Sequence, residues 1–281
     1  MPLDLPMDFD PRKISHGLTR GEAGVWFTGR REPVSYLEDG NALCFELEEK
    51  SFWFAHRNAC ITSIVQRFAP SGAIYDIGGG NGYVSRSLIE AGFECVLVEP
   101  GQVGALNAAR RGLPRVICGT LQSAQFLDDS LPAAAIFDVL EHIDDAAGFL
   151  NEIARCVMRG GRLYITVPAF EWLWSHDDVT AGHFRRYTLD RLEASVRAAG
   201  FTPLFASYFF AILPLPLFLL RTLPSFFGRR RLAPRTYKKL HQPRTGRLPG
   251  HLLNLEQKRI ERGAALPFGS SCLLVAEKRQ Q

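Results

Sequence analysis

Asp76-Ile77-Gly78-Gly79-Gly80-Asn81-Gly82 decides the fold of this chain. An apolar run, 73–77, leads into it and a helical run, 84–91, leads out. Glycine in such a place lets the backbone turn tightly and approach a ligand closely. The spacing is Gly78-x-Gly80-x-Gly82. A dinucleotide fingerprint needs its third glycine one position later, where Tyr83 stands. The pattern therefore disfavours a nicotinamide dinucleotide, and with it a reductase, and suits a cofactor without a pyrophosphate.

Outward from this loop the chain alternates. Strand-like runs fall at 73–77, 95–98, 115–118, 133–137, 162–167, 201–209 and 271–277. Helical spacing begins at Ser51, with Phe52, Ile61, Ile64, Val65 and Phe68 on one face, and Pro70-Ser71-Gly72 stops it. Further helices read at 84–91, 103–111, 145–158 and, capped by Thr188 and stopped by Gly200, to Ala199. Such alternation predicts a mostly parallel seven-stranded sheet with helices on both faces. Residues 1–50 show no clear period and read as an irregular N-terminal arm. The core domain is expected at 51–209 and 270–281, with a helical insertion, 210–269, between the last two strands.

Composition sets bounds. The chain has 281 residues, 46% hydrophobic, enough for one large α/β domain. Thirty-three Lys and Arg against 29 Asp and Glu give +4, too mild to argue for nucleic acid. The basic residues bunch late, at Arg229, Arg230, Arg231, Arg235, Lys238 and Lys239. Cys44, Cys60, Cys95, Cys118, Cys156 and Cys272 form no CxxC pair and read as reduced, buried thiols. With three aspartates and no apolar run near the N-terminus, they point to the cytoplasm.

The second strand ends at Glu99, about twenty residues beyond Gly78, where an acid can take both hydroxyls of a ribose. DIGGGNG at 76–82, VLVEPG at 96–101, FDVLEHIDD at 137–145 and RGGRLYITVPA at 159–169 together resemble the class I S-adenosylmethionine-dependent methyltransferases. LWSHDDVTAGHFRRYT at 173–188 looks like a bacterial subgroup of unassigned substrate. The resemblance implies a Rossmann-like fold and S-adenosylmethionine as cofactor. It implies that Gly78, Gly80 and Gly82 approach the cofactor, that Asp76 orders the loop or reaches the methionine moiety, and that Glu99 holds the ribose. Phe137 would lie beside the methionine part. Arg57 is placed like an arginine that grips the cofactor carboxylate in the similar ubiquinone-biosynthesis O-methyltransferases. Relatives often carry an acid after the third strand to bind the adenine amine. This chain has Gly119-Thr120-Leu121, so Thr120 or the Leu121 backbone must substitute.

Methyl transfer from a sulfonium is an in-line displacement, in which the protein supplies position and, for a hydroxyl, a base or a metal. Candidates belong at the carboxyl ends of the fourth and fifth strands. Asp138-x-x-Glu141-His142 resembles the Glu-x-x-Glu-His that holds a divalent ion in the ubiquinone O-methyltransferases, with Asp138 shortening the first arm. Asp138, Glu141 and His142 are thus candidate metal ligands, which His183 or His176 could complete. Non-metal versions of this pattern are common, and they favour reading Glu141-His142 as a hydrogen-bond network at a helix N-terminus. His142, His183 and Asp138 are the catalytic candidates, either histidine serving as general base. Arg185 and Arg186 offer an anion grip or a solvated lead-in to a helix.

The stretch 209–227 is long enough on paper to cross a bilayer, but Pro214, Pro216, Pro224 and Arg221 argue for a buried cap instead. An apolar segment followed by arginines suits a small-molecule, lipid-like or acidic aromatic substrate. It suits equally a peripheral contact of 209–239 with the inner face of a membrane. Aromatics embedded in an aliphatic run do not suit nucleic acid. The expected activity is O-methylation of such a substrate. The alternative is a non-catalytic, membrane-associated partner protein that binds S-adenosylmethionine.

Overall fold

The computed structural model describes residues 9–29, 45, 47–226 and 247–280. Cys44 and the basic cluster from Arg229 to Lys239 lie outside them. Two short strands come first, β1 (Leu18–Arg20) and β2 (Trp26–Thr28). Helix α1 (Phe52–Arg67) starts at Ser51, whose hydroxyl accepts the Trp53 amide, and turns Ile61, Ile64 and Val65 inward. Then follow β3 (Ile74–Ile77), α2 (Tyr83–Glu90), β4 (Cys95–Glu99), α3 (Gln102–Arg110) and β5 (Val116–Cys118). Strand β6 (Leu131–Phe137) leads to α4 (Ala146–Cys156), capped by Asp145, and to the long β7 (Val157–Pro168). After α5 (His176–Ala181) and α6 (Leu189–Ala198) comes β8 (Phe201–Phe209), then α7 (Arg247–Glu261) and β9 (Ser271–Lys278).

The described strands form one sheet in the order β1-β2-β5-β4-β3-β6-β7-β9-β8. From β5 to β7 all neighbours are parallel, and β9 runs antiparallel between β7 and β8. Strands such as β3 and β4 are buried along their whole length, as a sheet covered on both faces requires. Two apolar layers cover them. One contains Ile136, Ile153, Leu163 and Ile165; the other contains Ile64, Ile74, Tyr164 and Leu273. Cys60, Cys95, Cys118, Cys156 and Cys272 are free and buried, as expected. Burial pushes the thiols of Cys60, Cys95, Cys156 and Cys272 up.

Nine strands replace the expected seven, because the N-terminal arm is not wholly irregular. β1 and β2 form an antiparallel pair, and β2 adds in parallel to the edge of β5, Trp26 opposite Ile117 and Phe27 opposite Cys118. The helix read at 145–158 ends at Cys156 instead. Val157 already pairs with Leu131, and the ladder resumes at Arg162 opposite Ala133 across an irregularity that takes up Gly160 and Gly161. Nor do the prolines break the segment after β8. Pro214–Leu217, Phe218–Thr222 and Leu223–Phe226 run on as one helix whose middle piece is a π turn. Pro214 and Pro216 sit in its first turn, where the amide hydrogens have no helical acceptor anyway. No helix among the described residues is long and apolar enough to cross a membrane.

Strand β8 runs parallel to β7, so the segment after Phe209 leaves from the carboxyl edge of the sheet, where Phe209 and Pro168 both oppose Ser271. The added hairpin constrains the loop after β5. A Cβ on Gly119 would stand 2.4 Å from Thr28 Cγ2 and 2.7 Å from its Oγ1. Gly119→Ala is expected to cost about 1–3 kcal/mol by overpacking. Adding Thr28→Ala, which removes both clashing atoms, should recover most of that loss. Thermal melts of the two single variants and the double variant check the coupling.

Candidate functional site

The sheet order reverses between β3 and β6, and the loops that leave these strands meet there. Gly78 has φ +74°, and a Cβ on it would lie 2.8 Å from Val139 Cγ2. Any larger residue would therefore be strained and would push the two loops apart. Open α/β sheets bind ligands in the crevice at such a switch, outside the carboxyl ends of the strands.

Two buried carboxylates hold the glycine loop. Glu99 Oε2 accepts the Gly80 amide at 2.8 Å and Oε1 accepts the Gly101 amide at 2.7 Å. Burial raises Glu99 to about 7 in spite of those two bonds. Each oxygen keeps a second lone pair. Asp76, fully buried, accepts the Ser85 hydroxyl on Oδ2 at 2.6 Å, while burial lifts it to about 6. Its Oδ1 meets no hydrogen-bond partner among the described residues. Asn81 is braced from outside the loop. Its amide donates to Glu48 at 3.2 Å, and Arg111 binds the other Glu48 oxygen at 2.7 Å. The sequence reading missed Glu48, which lies in a stretch without a period.

Thr120 is occupied by the chain itself. It caps the short helix Leu121–Ala124, accepting the Ser123 amide at 3.0 Å, while the Ser123 hydroxyl accepts the Thr120 amide at 2.9 Å. The Leu121 side chain is buried in the core. The expected adenine contacts thus lie in a turn whose Thr120 hydroxyl already serves as a cap.

Phe137 ends β6 and is buried. Asp138, next to it, holds φ +58°, an uncommon backbone state for a residue with a side chain. It is anchored on three sides. Its amide donates to the Thr166 carbonyl at 2.8 Å, the Thr166 hydroxyl donates to Oδ1 at 3.0 Å, and Arg57 Nε lies 2.6 Å from Oδ2. The Arg57 contact is Coulombic, since the Nε hydrogen is not aligned on the oxygen. Arg57 is itself buried, its guanidinium 5.6 Å from the Trp53 ring, and its charge also favours ionised Asp76 and Glu141.

The expected ligand set regroups. Glu141, His142 and His183 offer donor atoms within 4.8 Å of one another; Asp138, held by Arg57, is not among them, nor is His176. Glu141 is buried, and burial first, then Asp138, raises its carboxyl well above the ordinary range. His142 and His183 stand edge to face at 4.7 Å, and burial lowers His142 to about 4. The Phe184 amide donates to the Glu141 carbonyl at 2.8 Å, which draws the loop around His183 against the loop after β6.

Behind His183 stands Asp178, 2.9 Å from Nδ1. Arg186 Nε and Nη2 bind its two oxygens at 2.8 and 3.1 Å, and Ser175 donates its amide to the same carboxylate at 2.9 Å. Burial opposes ionisation, yet His183 and Arg186 outweigh it and hold Asp178 at about 2. Arg186 is therefore a brace rather than an anion grip, and Arg185 binds the Asp144 carbonyl at 2.6 Å. The sequence reading passed over Asp178. Its signal was Ser175-x-x-Asp178, the spacing of a capping box. The cluster can orient an imidazole, hold Nδ1 as donor, and leave Nε2 to accept a proton.

Replacing Asp178 by Asn leaves the Arg186 charge buried beside a neutral amide and should cost about 3–5 kcal/mol. The pair Asp178→Asn with Arg186→Met removes both charges and should recover a large part of the loss. Urea melts of the single and double variants read the difference.

Comparison with known proteins agrees with this geometry. Residues 53–204 match the family model described as a methyltransferase domain. A demethylmenaquinone methyltransferase of Mycobacterium sp. (strain KMS) is 27% identical over 158 residues, 56% of this chain and 64% of its own length. A probable S-adenosylmethionine-dependent methyltransferase of Mycobacterium tuberculosis (strain H37Rv) is 25% identical over 163 residues, 56% of this chain and 58% of its own. The chain thus spans less than two thirds of these relatives. Among solved structures, Haemonchus contortus phosphoethanolamine N-methyltransferase 2 bound to S-adenosylmethionine shares the fold, with TM-score 0.57, 16% identity, and coverage of 88% of this chain and 58% of that one. With the glycine loop, the acid ending β4 and the sheet order all in place, the chain belongs to the class I S-adenosylmethionine-dependent methyltransferases.

Proposed function

We propose that this protein transfers the methyl group of S-adenosylmethionine to a hydroxyl of a hydrophobic substrate, of an acidic or lipid-linked kind. The observation that carries the cofactor reading is the Glu99 carboxylate drawing the Gly80 and Gly101 amides to the mouth of the switch crevice. The residues present fit this cofactor. Both Glu99 oxygens keep a lone pair for ribose hydroxyls, and Asp76 Oδ1 meets no hydrogen-bond partner among the described residues. In this reading Gly78, Gly80 and Gly82 line the cofactor, Phe137 flanks its methionine part and Arg57 faces its carboxylate.

When bound, S-adenosylmethionine supplies an electrophilic methyl carbon on a sulfonium leaving group. The protein must hold the acceptor in line and remove its proton. We assign the proton to His183 Nε2, with Asp178 fixing the tautomer from Nδ1, as carboxylates orient catalytic histidines elsewhere. His142, neutral at ordinary pH, packs against that ring and keeps a second positive charge away from it. A divalent ion is a weaker reading, because Asp138 is spent on Arg57 and Thr166. Trace-metal analysis of purified protein separates the two readings. The segment 210–269 serves as a cap on the 51–209 and 270–281 domain, at the carboxyl edge where substrate enters. The location that goes with this reading is the cytoplasm, at the inner face of a membrane.

Calorimetry with S-adenosylmethionine and S-adenosylhomocysteine, and NADH as control, tests the cofactor. Glu99→Ala should weaken the first two by about 10- to 100-fold, the worth of hydrogen bonds to a charged acceptor. Unchanged affinity would end the ribose role. The pH dependence has a definite sign. A carboxyl raised from 4.5 to about 7 must ionise before it can accept both hydroxyls, so affinity should fall as pH drops through 7. A loss of about tenfold is expected between pH 8 and pH 6. Without cofactor, the folded state holds that proton between 4.5 and about 7 while the unfolded chain does not, so this group makes stability fall as pH rises across that window. On a substrate found by screening lipid extracts, His183→Ala should lower kcat by about 10²- to 10⁴-fold with cofactor affinity intact. A non-catalytic cofactor-binding partner would transfer no methyl group in either form.

A further inference from the structure

The helix from Pro214 to Phe226 has two unlike faces. Its inner face is fastened to the segment that follows β7. The buried Thr222 hydroxyl donates to the Leu173 carbonyl at 3.1 Å, Ser225 Oγ accepts the His176 amide at 3.1 Å, and the Phe218 ring lies 5.8 Å from Trp172. The outer face carries Leu215, Leu219, Leu220, Leu223 and Phe226, which are 37–76% exposed. Positions 215, 219, 223 and 226 recur at helical spacing, so the exposed side chains form one stripe. Trp172 and Phe268, stacked at 6.3 Å and each nearly half exposed, extend the apolar surface beyond Phe218. A soluble protein rarely leaves so contiguous an apolar surface open without a use for it.

Charge says what covers it. Between Glu193 and Glu256 the chain carries no Asp or Glu, but it carries ten Lys and Arg. Three residues past Phe226 the sequence reads Arg229-Arg230-Arg231. A second copy of the chain would bring this charge against itself, which is costly at an interface. An anionic lipid surface complements both the stripe and the sign of the charge. At 1.5 Å per residue the helix is about 20 Å long, short of a hydrocarbon core of about 30 Å, so it can lie in the interface but not span it.

We propose that the outer face of the 214–226 helix docks this protein on an anionic membrane surface. Leu215, Leu219, Leu223 and Phe226 enter the acyl boundary. The inner face of the same helix rests on the segment that follows the carboxyl end of β7, so docking sets the crevice mouth against the lipid. The inference deepens the lipid-substrate reading and rests on it for its purpose. The docking itself can be measured without any substrate.

The test is co-sedimentation of the purified full chain with phosphatidylcholine vesicles, with and without phosphatidylglycerol. S-adenosylmethionine affinity is measured on the same samples. The wild type should bind only the vesicles that contain phosphatidylglycerol, and less so as salt rises. Leu219→Ser with Phe226→Ser, both at exposed positions, should reduce binding about tenfold or more and leave the melting temperature and cofactor affinity unchanged. Three results would overturn the proposal. One is no binding to anionic vesicles, and another is binding that the double variant does not weaken. The third is concentration-dependent self-association in sedimentation velocity that the double variant abolishes, which would assign the stripe to a second copy. Intact cofactor binding without vesicle binding removes the docking alone, whereas vesicle binding without cofactor binding removes the methyltransferase reading alone.

Discussion

The Glu99 carboxylate is the constraint from which the cofactor side of this molecule follows. A buried carboxylate is costly unless amide hydrogens meet it, and two come from the loops after β3 and β4. Those bonds fix where Gly80 and Gly101 stand. Among the described residues, Asp76 then has the Ser85 hydroxyl on one oxygen and no hydrogen-bond partner on the other. Both acids titrate high for one reason. Burial without a full complement of donors disfavours charge, and a polyhydroxylated cofactor is what would complete the set.

The loop after β6 depends on a different interaction. Arg57 reaches from α1 to Asp138 at the end of β6, and Asp138 is also tied to Thr166 on β7. One ion pair thereby links the first helix of the domain to the adjacent strand ends and pins a residue of positive φ. Glu141 and His142 follow within one short turn, and their neighbours are supplied by the segment after β7. Asp138, one of the candidate ligands, is held by Arg57 and Thr166. The histidine with a carboxylate behind it is His183, not His142.

Much of this was legible in the residues. Five of the seven core strands run into or end at a glycine, a proline or an acid, and the alternation with helices pointed to a mostly parallel sheet. The two extra strands were not legible, because three residues are too few to show a period of two. Their partner edge, β5, lies far along the chain. The same limit applies to the site. Spacing shows which of Asp138, Glu141 and His142 can face together on one turn. It does not show that Arg57 removes one of them or that His183 supplies another, since both contacts cross between elements that are distant in sequence. Gly119-Thr120 looked like a missing adenine acid. The structure gives both residues a local reason, a close approach by Thr28 and a capping box with Ser123.

Among the described residues, the segment between β8 and β9 is tied to the domain by one buried carboxylate. Glu256 on α7 accepts the amides of Phe210 and Ala211 at 2.6 and 2.7 Å, where the chain leaves β8, and His56 on α1 lies 2.7 Å from the same carboxylate. The end of the segment is thus hydrogen-bonded to its beginning, and both to the domain. Phe210 takes φ +58° to present its amide and stacks on Trp53 at 5.5 Å. Trp53 in turn carries the Arg57 guanidinium 5.6 Å from its ring. One continuous set of contacts therefore runs from Glu256 through Phe210 and Trp53 to the arginine that holds Asp138.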